Sequence, residues 1–374
     1  MPHPELDRFL IRMEPLAARP NKKQIENDCI LPEARGNPLT AASAALLDEA
    51  IQRILVARQA DRPVILAFGA HAIKNGLGPV FLRLLENGWV THLATNGAGI
   101  IHDWEFSYQG QSCEHVGPRV AEGRFGHWQE TGFYINLALN VGAYEGRGYG
   151  ESVGAMIEQQ GLMIPSVQQL RDEVRQRVEH DPAQAAAAAD LCWIVERFEL
   201  PEGWLEIPHP WRAYSIQAGA FRHRVPFTGH PMYGHDIIYN HPMNRGACLG
   251  RAAERDYLIF AESVRRLAGG VYISVGSAVM SPMIFEKAFS MAQNLAIQKG
   301  EHIDDHYLLV VDLAHCDWDW SQGEPPENNP AYYLRYNKTF SRMGGHMRYL
   351  SADNRDFLLA LHEGLSKTAR PQHP

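Results

Sequence analysis

The 374-residue sequence predicts an α/β fold, a parallel sheet with helices on both faces. Three observations lead there. Short runs such as Val64-Ile65-Leu66-Ala67-Phe68 are apolar without alternation, the pattern of strands buried on both faces. Stretches with apolar residues at helical spacing separate these runs. Each run then stops at glycine or a small polar residue, where an open parallel sheet leaves loops facing a ligand. Strand, glycine turn, helix and strand in that order describe a Rossmann-like sheet.

Residues 1–40 carry Pro15, Pro20, Pro32 and Pro38, which interrupt any long helix and predict an irregular N-terminal arm. Residues 41–374 are expected to form a single α/β domain. Its first helix is predicted over residues 40–59 from Leu46, Ala50, Ile51, Ile54 and Leu55. The strand at residues 64–68 runs into Gly69-Ala70-His71-Ala72-Ile73-Lys74-Asn75-Gly76. Helical spacing follows at Val80, Phe81, Leu84 and Leu85. A second strand over residues 90–94 leads into Thr95-Asn96-Gly97-Ala98-Gly99-Ile100-Ile101-His102-Asp103. Further on, a helix is expected over 129–139 and a glycine loop over 142–150. A helical insertion of three helices at about 151–199 would cover one sheet face. Strand signals return at 214–217 and 225–228, followed by a polar loop from Gly229 to Pro242. A helix over 249–267, a strand over 271–275, a helix over 282–298 and a strand over 307–311 ending at Asp312 complete the pattern. Pro282 suits a first helical turn, where its missing N–H is harmless.

The 45% apolar content is enough for a sizeable core. A formal charge of −8, with no long basic run, points away from nucleic acid and anionic membranes. No apolar stretch reaches the roughly 20 residues of a membrane helix. The N-terminus lacks the basic-then-apolar order of a secretion signal. Five widely spaced cysteines without a CxxC pair are expected to be free thiols in a cytoplasmic protein. Eighteen histidines, many of them in polar loops, leave metal binding open without assigning a metal ligand.

Neither glycine loop has the GxGxxG or GxxxxGK[ST] spacing of phosphate-binding fingerprints. Gly97 and Gly99 would nevertheless let a ligand approach the backbone, and Asn96 can hydrogen-bond a ribose or an amide. Turn formation alone also accounts for all three. Lys74 reads equally as a surface lysine or a substrate contact. Asp103 and Glu105 are expected near a helix start, where the helix dipole would stabilise their carboxylates. His230, His235, Asp236 and His241 lie close in sequence, but their spacing fits neither HExxH nor a zinc finger. One of these histidines could act as a general base. Trp318 and Trp320, set among Asp317, Asp319 and Glu324, suggest a pocket wall or a subunit contact. There is no GxSxG elbow, which argues against a triad hydrolase.

Five segments together resemble the deoxyhypusine synthase family, in the same order and with similar spacing. They are residues 70–76, Thr95 to Asp103, Gly234-His235-Asp236-Ile237-Ile238-Tyr239, Ser274 to Ala278, and Asp312 to Pro326. The resemblance implies a deoxyhypusine-synthase-like fold, NAD bound between subunits of a homo-oligomer (dimer or tetramer), and transferase-like chemistry. It implies cofactor contacts at His71, Asn96, Gly97, Ala98, Gly99, Asp236, Ser277, Asp312 and Asp319. The departures concern the substrate. The family's tandem polyamine-binding glutamates fall on Ile101 and His102. Its lysine and histidine after the triple-glycine turn are replaced near Ser281 and Pro282. Its imine-forming lysine aligns with Arg348, which cannot be deprotonated to attack carbon, and Lys338 is the only lysine nearby.

The expectation is therefore an enzyme that binds NAD or a related nucleotide and acts on a small polar non-polyamine substrate by dehydrogenation-coupled transfer or elimination. Catalytic roles are expected for His102, Asp103, His235 and Lys74, and substrate contacts for His230, His241 and Arg348. A second reading is a metal-dependent hydrolase or lyase built on the His230–His241 loop. A third is a non-catalytic ligand-binding protein on the same fold.

Overall fold

The apolar runs assemble into one parallel sheet at the centre of the computed structural model, which describes residues 3–368. Ten strands occur among these residues: β1 (Asn21–Gln24), β2 (Val64–Phe68), β3 (His92–Asn96), β4 (Gln111–Glu114), β5 (Gly161–Ile164), β6 (Gly203–Glu206), β7 (Phe227–His230), β8 (Val271–Val275), β9 (Tyr307–Asp312) and β10 (His346–Ser351). Six form the main sheet in the order β10-β9-β8-β2-β3-β7, and every pairing is parallel. The α/β fold with helices on both faces is as the sequence predicts. Val64, Leu66 and Phe68 join one core, and Ile65 and Ala67 join the other, so alternate side chains of β2 feed opposite layers. The first layer holds the helices Ala41–Gln59, Gly97–Gln109 and Gln129–Glu145. The second holds Gly246–Arg265, Met280–Ile297 and Arg335–Ser341.

The helix Ala41–Gln59 shows how local sequence sets an element. Thr40 accepts a hydrogen bond from Ser43 N as its N-cap, and Leu47, Ala50, Ile51 and Ile54 bury one stripe. In the region 151–199 there are three helices, Tyr149–Gln159, Val167–Arg177 and Pro182–Arg197, and between the first two lies β5, paired antiparallel with β6. The proline-rich arm is laid against the domain. β1 pairs antiparallel with β4, and Glu14 bridges to Trp128.

Several boundaries differ from the sequence reading, each for a tertiary reason. Residues 214–217 are not a strand but a 3₁₀ turn, Arg212–Tyr214, followed by the helix Ile216–Arg222. Ser215 accepts from Ala218 N, and the Asp103 carboxylate accepts from Ile216 N and Gln217 N. Those caps outweigh the β preference of Tyr and Ile. The strand expected at 90–94 lies at His92–Asn96, because Asn96 continues the pairing to His230. The strand expected at 225–228 is likewise shifted, to Phe227–His230. Gly142 and Gly150 belong to helices rather than to a loop. Asp103 and Glu105 are not at a helix start: the helix begins at Gly97, and both carboxylates are buried in its later turns. β10, an edge strand of mixed polarity (His346-Met347-Arg348-Tyr349-Leu350-Ser351), has no apolar-run signal and was not expected.

The strand order creates a switch point. From β2 the sheet grows through β3 and β7 to one side and through β8, β9 and β10 to the other, leaving a crevice beyond the carboxyl ends of β2 and β8. Gly69 and Gly276 meet there. A Cβ on Gly69 would lie 2.1 Å from the Gly276 carbonyl oxygen, so only glycine allows the two loops this approach.

A buried ion pair and a buried carboxyl tie distant segments of the fold together. Arg19 donates two hydrogen bonds to Glu105, at 2.7 and 2.6 Å, with both side chains almost fully buried. Arg19→Met would leave an uncompensated carboxylate and should cost about 3–5 kcal/mol in chemical denaturation; a loss under about 1 kcal/mol would show the pair is dispensable. Asp256 accepts from Gly150 N at 2.9 Å and Gly229 N at 2.6 Å, and burial pushes its carboxyl up to about 7. The folded state then holds a proton that the unfolded chain releases near pH 4, so this group's stabilisation is complete at low pH and lost as pH rises to about 7. The stability advantage of wild type over Asp256→Asn should therefore shrink across that window, by on the order of 1 kcal/mol per pH unit where steepest. Parallel pH profiles of the two proteins would contradict it.

Candidate functional site

Two cavities lie side by side at the carboxyl edge of the sheet, next to a more open groove of about 550 Å³ that shares Asn75 with both. The larger of the two cavities, about 390 Å³, takes its floor from the helix Gly97–Gln109. Ala98, Ile101, His102 and Glu105 are spaced by three, one and three residues, so they share one helical face. Asp103 does not face the cavity. It accepts from Ser215 Oγ (2.6 Å), Ile216 N, Gln217 N and Gln217 Nε2 and so fastens the neighbouring helix.

The walls come chiefly from four further segments, with Val116 and Phe125 beside them: His71, Lys74 and Asn75 after β2; Arg19, Lys22 and Lys23 from the arm; Cys113 and Glu114 from β4; and His235, Asp236 and Ile237 from the loop after β7. The structure therefore brings together His71, Lys74, Ala98, His102, His235 and Asp236 from the residues read in the sequence. Arg19, Lys22, Lys23, Glu105, Cys113 and Glu114 were not read as site residues. No local motif marks the arm as a wall, because β1 reaches β4 across about ninety positions of chain. For Glu105, the helical period from His102 was the available signal.

The charges in this cavity are unevenly satisfied. Glu105 accepts from Arg19 twice, from Thr131 Oγ1 and from Ser112 Oγ. Burial pushes its carboxyl up, but Arg19 outweighs that and holds it below the ordinary value. Asp236 accepts from Tyr239 OH at 2.6 Å, and burial raises its carboxyl. Glu114 accepts from Gly126 N and is raised by burial too. Lys23 pairs with Asp28 at 2.8 Å. Among the described residues no carboxylate lies within 4.0 Å of the Lys74 or Lys22 ammonium. Glu105 is thus fully engaged and Glu114 keeps one buried oxygen without a partner, while the two ammonium groups of Lys74 and Lys22 are free to meet an anionic ligand.

The second cavity, about 210 Å³, opens over the switch point. Gly276, Val311, Asp312, Leu313 and Asn354 line it, together with His71 and Asn75, which also line the first. Asn75 Nδ2 donates to Asn354 Oδ1 at 3.3 Å. The Asp312 carboxylate, at the end of β9, accepts from Ala314 N through one oxygen. Two larger grooves elsewhere, of about 620 and 710 Å³, contain none of the residues read as functional in the sequence.

The remaining expected residues lie outside both cavities. A Cβ on Gly97 would come within 2.2 Å of an Asp236 carboxylate oxygen, so the protein's own carboxylate already covers that helix N-terminus. Asn96 accepts from Gly99 N as the N-cap, and Gly99 packs on the Thr95 hydroxyl. Ser277 accepts from Ser281 N. Asp319 caps an exposed turn by accepting from Ser321 N. His230 is buried against Thr228, which also bonds His92, and burial lowers His230 to about 3. His241 accepts from Met243 N and packs between Phe133 and Phe198. Arg348 pairs with Glu49 at 3.0 Å. The three histidines of the 230–241 loop thus have separate surroundings, and among the described residues no three His, Cys, Asp or Glu side chains converge as a metal site.

No family model and no curated protein matches this chain. Among solved structures it is similar to the ternary complex of AgrE with ornithine and NAD+, at 13% identity and TM-score 0.42, over 89% of this chain and 34% of that one. It is similar to a conserved putative LOR/SDH protein from Methanococcus maripaludis S2, at 12% identity and TM-score 0.41, over 90% of this chain and 74% of that one. It is also similar to a putative deoxyhypusine synthase from Entamoeba histolytica, at 10% identity and TM-score 0.42, over 89% of this chain and 91% of that one. The chain spans about a third of the length of the AgrE structure.

Proposed function

We propose that this chain is an enzyme that holds NAD or a related nucleotide across the switch-point cavity and a small polar, non-polyamine substrate in the larger one. The carrying observation is that His71 and Asn75 line both cavities, so ligands in the two would meet there. The carboxyl ends of β2 and β8 are where an open parallel sheet receives a nucleotide. The residues present fit one: Asp312 accepts from Ala314 N through one oxygen, which leaves the other for ribose hydroxyls, and Gly276 brings bare backbone to the cavity wall. NAD would supply a hydride acceptor. The chain's own part is to orient the substrate with Lys74 and His71, and to manage its proton with His102 or His235. A dehydrogenation-coupled transfer or elimination is the reaction class this reading adopts.

The same proposal places the protein in the cytoplasm as a homo-oligomer. The five unpaired cysteines support the first part. Exposed apolar side chains on the helix Met280–Ile297 (Met283, Met291, Leu295 and Ile297) support the second.

Calorimetry with NAD+ tests the nucleotide assignment. Saturable binding is expected, weakened roughly tenfold or more by Asp312→Ala, which removes a hydrogen-bonding carboxylate worth about 1.5–3 kcal/mol. Absence of binding at about millimolar NAD+, or an Asp312→Ala protein that binds as tightly as wild type, would overturn it.

A further inference from the structure

We propose that the larger cavity takes a small anion, carboxylate or phosphate, bearing a neighbouring hydroxyl, and that His102 Nε2 removes the hydroxyl proton while Ser112 and Glu105 fix the ring. This rests on the reading of that cavity as the substrate site.

The tautomer follows from counting hydrogens. Ser112 Oγ lies 2.6 Å from Glu105 Oε2 and 2.7 Å from His102 Nδ1. Glu105, ionised beside Arg19, can only accept, so the single hydroxyl hydrogen of Ser112 goes to it. Ser112 Oγ must then accept from His102, which places the ring hydrogen on Nδ1 and a lone pair on Nε2. His102 lines the cavity. Arg19, Glu105, Ser112 and His102 thus form one chain of contacts from the buried arm to the cavity.

The backbone supports the arrangement. Cys113 has φ +74°, a conformation costly for a residue with a side chain. In a regular strand, neighbouring side chains point to opposite faces. Here Ser112 Oγ and Cys113 Sγ both approach His102 Nδ1, at 2.7 and 3.9 Å. The left-handed turn at Cys113 lets consecutive residues of β4 serve one imidazole.

The charged and titratable groups facing His102 are Glu105 on its own helix, Lys74 and His71 on the segment after β2, Arg19 on the arm and Cys113 on β4. Burial lowers His102 to about 4, which Glu105 opposes, so the ring is neutral at neutral pH, and an anion bound beside it would raise its affinity for a proton. In the transfer, the substrate O–H bond breaks and an Nε2–H bond forms, leaving an oxyanion and an imidazolium. The imidazolium faces Glu105 through Ser112. The free ammonium of Lys74 holds the substrate's anionic group and lies near the developing charge.

Nuclear magnetic resonance of the full chain with labelled histidine tests this without any nucleotide, so its outcome is separate from that of NAD+ calorimetry. His102 is assigned by its loss in His102→Gln. The expected wild-type signature is the Nδ1–H tautomer at neutral pH, with the preference lost in Ser112→Ala. Inorganic phosphate and malonate, added separately, show which anion is held. At least one should shift the His102 signals saturably and raise its pKa, with affinity falling roughly tenfold in Lys74→Met and recovering in Lys74→Arg. An Nε2–H tautomer in wild type, no saturable shift with either anion, or undiminished anion affinity in Lys74→Met would each overturn the proposal. Because the wild-type tautomer is itself decisive, an unfolded Ser112→Ala variant would not rescue it.

Discussion

The buried pair between Arg19 and Glu105 is the constraint on which the site depends. An arginine from the arm and a glutamate from the helix after β3 are each nearly inaccessible, and Ser112 and Thr131 complete the carboxylate's hydrogen bonds. The arm, β4 and the helix Gln129–Glu145 are therefore registered on one carboxylate. A pair like this adds little net stability over apolar packing of the same shape, but losing one partner is expensive. Its consequence is positional: it lays the arm over the sheet edge, closes one side of the cavity and leaves Ser112 oriented toward His102.

The parallel sheet supplies the other half of the site. Because all six strands run the same way, their loops gather at one edge, and reversal of strand growth at β2 and β8 opens a crevice there. The helix after β3 then presents Ala98, Ile101, His102 and Glu105 along one face. The same helix turns Asp103 into its neighbour, where it caps the helix Ile216–Arg222. Residues one position apart in sequence thus serve the cavity and the architecture respectively.

Much of this was legible in the sequence where the signal is local. Apolar runs disclosed β2, β8 and β9 within a residue, because strands buried on both faces are mostly apolar, and β3 and β7, which mix in His, Thr and Gly, within about two. The loop residues His71, Lys74, Ala98, His102, His235 and Asp236 follow from the same logic, since polar residues after such strands face the carboxyl edge. What stayed hidden depends on distant partners. β10 is half exposed at an edge and carries no run, and residues 214–217 fold as turn and helix because Asp103 caps them. Gly97 and Gly99 looked suited to a ligand, yet their close approach is to Asp236 and Thr95. The arm reads as irregular from its prolines and still supplies Arg19, Lys22 and Lys23 to the cavity.

In the proposed site a nucleotide crevice and an anion-binding cavity are continuous through His71 and Asn75. A crystal structure of the chain with NAD+ and malonate tests it most directly. The account predicts nucleotide beyond the carboxyl ends of β2 and β8, with Asp312 on a ribose, its far end reaching His71, and malonate beside Lys74 and His102. Nucleotide bound away from the Gly69–Gly276 contact, or an anion seated elsewhere while this cavity stays closed to both, would contradict it.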